Sequence, residues 1–248
     1  MGKELSEMTL EELWDLFPVF LVRHDDRWKE YFKEAEDTIA NLLTDYPVKR
    51  ISHIGSTAIQ GIWAKNIADV MVEISEKADM EEVARILEQN GFIRMSGEKG
   101  RISLNKGYTK EGFADKVYHI HLRYTGDNDE LYFRDYLNEH PQVAKEYEAL
   151  KLELWKKYAH NRDAYTAAKT DFVRKWTEKA RKKYGDRYNL GTTAQCGGNG
   201  AAHQIFDLSR GSLAFWTKPG ILWIPAGIKS TVGDAFEGCD KVVIDRAD

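Results

Sequence analysis

Three short stretches of this chain carry residues that can hold an anion beside a cation. They are His53-Ile-Gly55-Ser56-Thr57, Lys65 with Asp69-Val-Met71-Val-Glu73, and His119-Ile-His121. In the first, a run of strand-forming residues gives way at Gly55 to a serine and a threonine. Where a strand ends in glycine and a helix begins, the first N–H groups lack partners and lie at the positive end of the helix dipole. The Ser56 hydroxyl adds a donor, and such a turn suits a phosphate. The expected phosphate contacts are His53, Gly55, Ser56 and Thr57. Asp69 falls on a neighbouring strand, placed to hold a divalent cation beside that phosphate.

His119 and His121 alternate along a strand, so both side chains point one way. With Asp69 they make a one-metal donor set. Two imidazoles and a carboxylate suit zinc, iron or manganese better than magnesium. A divalent metal (Mg²⁺, Mn²⁺ or Zn²⁺) is the cofactor expected, and no organic cofactor is evident. Lys65 and Arg134 are the cations expected to offset charge on a reacting phosphoryl group, with Asp69 as the third catalytic candidate. Plainer roles stand beside these. Gly-Ser also makes ordinary turns, paired histidines also bond neighbours at a polar sheet end, and Arg134 beside Asp135 also makes a structural ion pair. Met71 restricts the chemistry. Two-metal chemistry needs paired carboxylates that hold ions ~4 Å apart. The residue two on from Asp69, on the same strand face, is Met71 and not an acid, so a two-metal reaction is not expected. Glu73 lies roughly 13 Å from Asp69 by strand rise and is expected as a solvated or salt-bridged end residue.

Several elements must position these residues. Thr9-Leu-Glu-Glu12 is a capping box opening a short helix that Pro18 ends. Val19–Val22 reads as an edge strand. Asp26 to Leu43 carries Trp28, Phe32, Ala35 and Ile39 at helical spacing. Strands are expected at 48–54, 67–74, 92–95, 101–104 and 117–124. Asp79 caps a helix that Gly91 closes. Helices over 129–139 and 142–159 are split by Pro141, and Asn161 caps a last helix reaching Lys183. Lys151 and Lys169 read as solvated helix positions, and Tyr147, Trp155, Phe172 and Trp176 as core. Residues 187–248, rich in glycine and turn signals, read as a small β-rich module.

The 248 residues carry 31% charged side chains and a net charge of −4, so no strongly basic face for nucleic acid is expected, while a local basic groove is left open. The N-terminus lacks the pattern of a signal peptide and no apolar run reaches the ~20 residues of a membrane span. A cytoplasmic protein is expected, with Cys196 and Cys239 reduced.

Wider motifs sharpen this reading. His53-Ile-Gly-Ser-Thr-Ala58 with Gly61, Lys65, Ile67 and Asp69 resembles the N-terminal motif of the GrpB family, in the nucleotidyltransferase superfamily. His119-Ile-His121 resembles its His-x-His strand. Phe133-Arg-Asp-Tyr-Leu137, His140-Pro141, Tyr147, Leu150-Lys151, Tyr165 and Lys169 resemble its helical motif. Gln60 and Asn66 depart from usual prolines and Ser52 from a usual glutamate. The resemblance implies a nucleotidyltransferase-like α/β (α+β) fold, a mixed sheet with flanking helices, over residues 21–184. A helical extension over 1–20 precedes it and the β-rich appendage over 187–248 follows. The expected partner is a nucleotide or another phosphorylated small molecule, with nucleotidyl or phosphoryl transfer as the reaction. The alternative is a non-catalytic ligand- or protein-binding descendant of the fold. The tail is a candidate homodimerisation surface.

Overall fold

The computed structural model describes residues 3–189, and the first compact unit of the chain ends at Asn189. The expected β-rich module beyond Asn189, with both cysteines, lies outside the described residues. Among the described residues no helix is long and apolar enough to cross a membrane.

Five strands form one mixed sheet in the order β1-β2-β5-β4-β3. They are β1 (Val48–Ile54), β2 (Ala68–Ile74), β3 (Ile93–Glu98), β4 (Arg101–Thr109) and β5 (Gly112–Tyr124). β2 and β5 run parallel, and the other neighbours are antiparallel. This is the α/β (α+β) architecture expected, with helices flanking a mixed sheet.

Strand alternation gives the sheet two different faces. Val70, Val72 and Ile74 of β2, Ile120 and Leu122 of β5, and Ile102 and Leu104 of β4 are buried on one. They pack against Ala35 and Ile39 of α2 (Arg27–Leu42) and Val83, Ala84 and Leu87 of α3 (Met80–Gln89). The intervening residues face the other way: Asp69, Met71 and Glu73 align with His119, His121 and Arg123. On β4, Asn105 and Ser103 align with His119 and His121. That second face meets the helices α4 (Asp129–Glu139), α5 (Pro141–Tyr158), α6 (Arg162–Ala167) and α7 (Thr170–Tyr184).

Local signals account for most boundaries. Thr9 Oγ1 accepts from Glu12 N while Glu12 Oε2 accepts from Thr9 N, opening α1 (Leu10–Leu16) with the expected capping box. Asp79 accepts from Glu81 N and Glu82 N at the start of α3. Pro141 occupies the first turn of α5, where its missing N–H costs nothing.

Four expectations are corrected. The Val19–Val22 edge strand reduces to one bridge, Val22 to Ala64, because Val19 N donates instead to Ala159 O at the end of α5. β4 and β5 extend well beyond 101–104 and 117–124 into a hairpin. Its turn is tied by Thr109 Oγ1, which donates to Gly112 O and accepts from Glu111 N. A register shift at Gly107, where a side chain would strike Lys116 O at 2.3 Å, masks the strand period there. The helix from Asn161 to Lys183 is two helices. The turn tightens where Lys169 N donates to Thr166 O, and the chain restarts at Thr170. Most consequentially, no helix follows Gly55. Ser56–Ala58 is a single 3₁₀ turn, so the dipole argument for a phosphate there loses its basis.

Candidate functional site

A cavity of about 1190 Å³ separates the polar sheet face from α5, α6 and α7. Gly55, Ser56, Lys65, Asp69 and His119 line its floor. Tyr147, Lys151, Arg162, Tyr165 and Lys169 line the helical wall. Leu5, Leu10, Leu13, Trp14 and Phe17 close a third side, so the N-terminal extension is part of the site.

At the centre, Oδ1 of Asp69 lies 3.3 Å from His119 Nδ1 and 3.1 Å from His121 Nε2. The three ligand atoms all lie within 4.8 Å of one another, so the set could hold one metal ion. Burial alone would push the Asp69 carboxyl up. The hydrogen bonds and charge of the two histidines overcome it and hold the group well below the usual carboxylate range. Burial pushes His119 down, against the pull of Asp69. His119 Nε2 meets Tyr108 Oη at 2.8 Å, and that oxygen accepts from Arg162 Nη2 at 3.0 Å. A hydroxyl both donates and accepts, so Tyr108 can serve either tautomer of His119. Such an outer partner orients a metal-ligating imidazole.

Gly55 has a different purpose from the one the sequence suggests. A Cβ there would sit 2.3 Å from Asp69 Oδ2 and 2.8 Å from its Cγ, and the residue has φ +71°. Glycine is required because the carboxylate presses against the backbone in a left-handed conformation. Ser56 lines the same cavity as Asp69, hydrogen-bonded to Tyr147. Burial pushes the Tyr147 phenol up to about 12, so it stays protonated.

Two sequence candidates fall elsewhere. His53 pairs with Val70, so its side chain lies on the opposite face from Asp69 and outside the cavity. It stacks on Phe32 with ring centroids 5.0 Å apart. Thr57 Oγ1 donates to Ile67 O and so accepts from His53 Nε2 at 3.0 Å. The pair ties the turn down, and burial lowers His53 to about 4. Arg134 also lies outside the cavity. Its guanidinium donates to His53 O, to Asp135 and to Tyr188 Oη, clamping α4 to the end of β1. Glu73 is fully buried and makes the salt bridge that was the other expectation, to Arg50, with further bonds from Gly126 N and Asn128. Met71 is also fully buried, packed with Ile54 and Leu131.

Lysines that read as solvated are the main omission of the sequence reading. Lys151 is 1% exposed; Nζ bonds Trp63 O and lies 4.8 Å from the centre of the Tyr147 ring. Lys169 Nζ lies 4.4 Å from the centre of the Tyr165 ring. The repeated Tyr-x-x-x-Lys spacing was a partial signal: Tyr147 and Lys151 share a helix face, whereas Lys169 meets Tyr165 across the break between α6 and α7. Burial pushes Lys65 and Lys151 down to about 7 and Lys169 down to about 8. Neighbouring cations add to this at Lys65 and Lys151, and Asp69 opposes it at Lys65 and Lys169.

"Glutamate-rich protein GrpB" of Alkalihalophilus pseudofirmus is 35% identical over 164 residues, which cover 62% of this chain and 91% of that one. YqkA of Bacillus subtilis is 28% identical over 193 residues, or 75% of this chain and 55% of its own length. The crystal structure of conserved protein GrpB from Enterococcus faecalis aligns with a TM-score of 0.58 and 28% identity, over 66% of this chain and 99% of that one. Nucleotidyltransferase-type structures are further neighbours. The Cid1 poly(U) polymerase aligns over 60% of this chain and 46% of that chain at 13% identity, with a TM-score of 0.41, too remote to bear on chemistry. The family model described as GrpB protein matches residues 18–179, and the chain belongs to the GrpB family.

Proposed function

We propose that the cavity binds a nucleotide or another phosphorylated metabolite at one divalent cation and transfers a phosphoryl or nucleotidyl group there. The observation that carries this reading is the convergence of Asp69, His119 and His121, the first two of which line a cavity that also holds Lys65 and Ser56. Asp69 Oδ1, His119 Nδ1 and His121 Nε2 would hold the cation, which supplies Lewis-acid neutralisation of phosphate charge. Lys65 would offset charge on the transferring group, and the Ser56 hydroxyl would donate to a phosphate oxygen. The apolar wall from Leu5 to Phe17 would take the organic part of the ligand. Leu10, Ile93 and Met95 are large apolar residues 45–56% exposed at this cavity, as expected where a ligand covers them.

A second reading is a binding module without turnover. Met71 favours it, because its buried side chain fills the place where a second carboxylate would stand. A thermal-shift panel of nucleotides and coenzyme A intermediates with Mg²⁺, Mn²⁺ and Zn²⁺ tests the common ground. Stabilisation that needs the cation is expected, and none with any combination would sink both readings. Asp69→Asn then separates them. Loss of turnover together with more than about 100-fold weaker cation binding marks the enzyme. Ligand binding that survives without the cation marks the module.

A further inference from the structure

Lys65, Lys151, Lys169 and Arg162 reach the same cavity from three different elements, namely the loop before β2, α5, and the α6–α7 region. None has a carboxylate within ion-pair distance among the described residues, whereas the neighbouring cations are neutralised. Arg101 pairs with Asp127 and Arg181 with Asp129. The Lys65 ammonium has no hydrogen-bond partner, Lys169 has only the Tyr165 ring, and Lys151 has one carbonyl and the Tyr147 ring. Of the cavity's other carboxylates among the described residues, Asp69 is engaged by two histidines and Glu130 lies 3.9 Å from Arg123. Asp163 and Glu178, also without partners, are exposed at the rim.

Gathering one fully buried cation, Lys151, and three half-buried ones without carboxylate partners is unfavourable unless an anion joins them. An anion among them favours their protonated forms, and all four protonated carry more positive charge than one phosphate group neutralises. Lysines act as point charges and arginine as a fork, and both suit phosphate oxygens. Arg162 also bonds Tyr108, which bonds His119, so the cationic cluster adjoins the cation triad.

We infer that Lys65, Lys151, Lys169 and Arg162 form a subsite for the polyphosphate chain of a phosphate ester, and that this subsite binds polyphosphate without any metal. The inference rests on the phosphorylated-ligand reading and narrows it to di- and triphosphates over monophosphates. Titration calorimetry of the full chain with inorganic tripolyphosphate and with orthophosphate, both in EDTA, tests it. Tripolyphosphate should bind at least ten-fold more tightly than orthophosphate and weaken as salt rises. The Lys65→Met/Lys169→Met variant should lose at least ten-fold in tripolyphosphate affinity. Its thermal midpoint without ligand should equal or exceed that of the unsubstituted chain, since unpaired cations have gone. Should that double variant fail to fold, the single Lys65→Gln substitution, at a side chain without partners, carries the same expectation. Equal affinity for the two anions, or tripolyphosphate affinity unchanged by these substitutions, overturns the subsite. Failure of tripolyphosphate to bind while a nucleotide with Mn²⁺ or Zn²⁺ does bind also overturns it, and leaves the cation-centred reading standing.

Discussion

The two faces of the sheet are built from alternate residues of the same strands, yet they follow opposite rules. On one, Val70, Val72, Ile120 and Leu122 are fully buried against α2 and α3. On the other, one residue along, Asp69, His119, His121 and Arg123 share bonds among themselves. Burial of apolar area stabilises the first face by about 25 cal/mol per Å². The second concentrates charge in a place where charge is costly. Stability and chemistry are thus held a single peptide apart, and the strand register keeps them from mixing.

That contrast can be broken from either side. The largest effect is expected on the apolar face. Leu122→Ala should cost about 2–5 kcal/mol of stability through the cavity it leaves, read from urea unfolding midpoints, with cation affinity of the folded protein unchanged. A loss of cation binding in the folded fraction would show that the faces are not separable. Gly55→Ala acts between them. It combines strain at φ +71° with a clash against Asp69, and is expected to cost about 1–3 kcal/mol and also weaken cation binding. Unchanged cation affinity would mean that the carboxylate has room to move.

A third test is in pH dependence. Lys65, Lys151 and Lys169 have folded-state values near 7, 7 and 8 against an ordinary 10.5. Between about pH 7 and 10 the unfolded chain therefore binds more protons than the folded one, and stability rises with pH. The full penalty is present below about pH 7. Thermal midpoints without ligand should climb across this window, and the Lys65→Met/Lys169→Met variant should flatten the climb. A parallel slope in that variant would place the effect elsewhere.

How much of this was legible depended on whether the signal was local. Thr9 with Glu12, Asp79 and Pro141 act within one helical turn, and each was readable. His119 and His121 needed only the two-residue period. The face of His53 depended on its pairing with Val70 and not Asp69, a register that no single strand encodes. The role of Gly55 depended on a carboxylate arriving from the next strand. The chain at 167–170 contains no glycine or proline, so the break that sets Lys169 over Tyr165 left no trace in residue type. Lys151 and Lys169 look like any solvated helical lysine until the α5–α7 helices are placed over the sheet.

The burial of Met71 bears on how this site can change over generations. An aspartate there would be introduced fully buried between the apolar side chains of Ile54 and Leu131, a burden of several kcal/mol before any gain. A second carboxylate would require the neighbours to recede first. Among the described residues the packing of Met71 thus leaves Asp69 as the one acid grouped with His119 and His121.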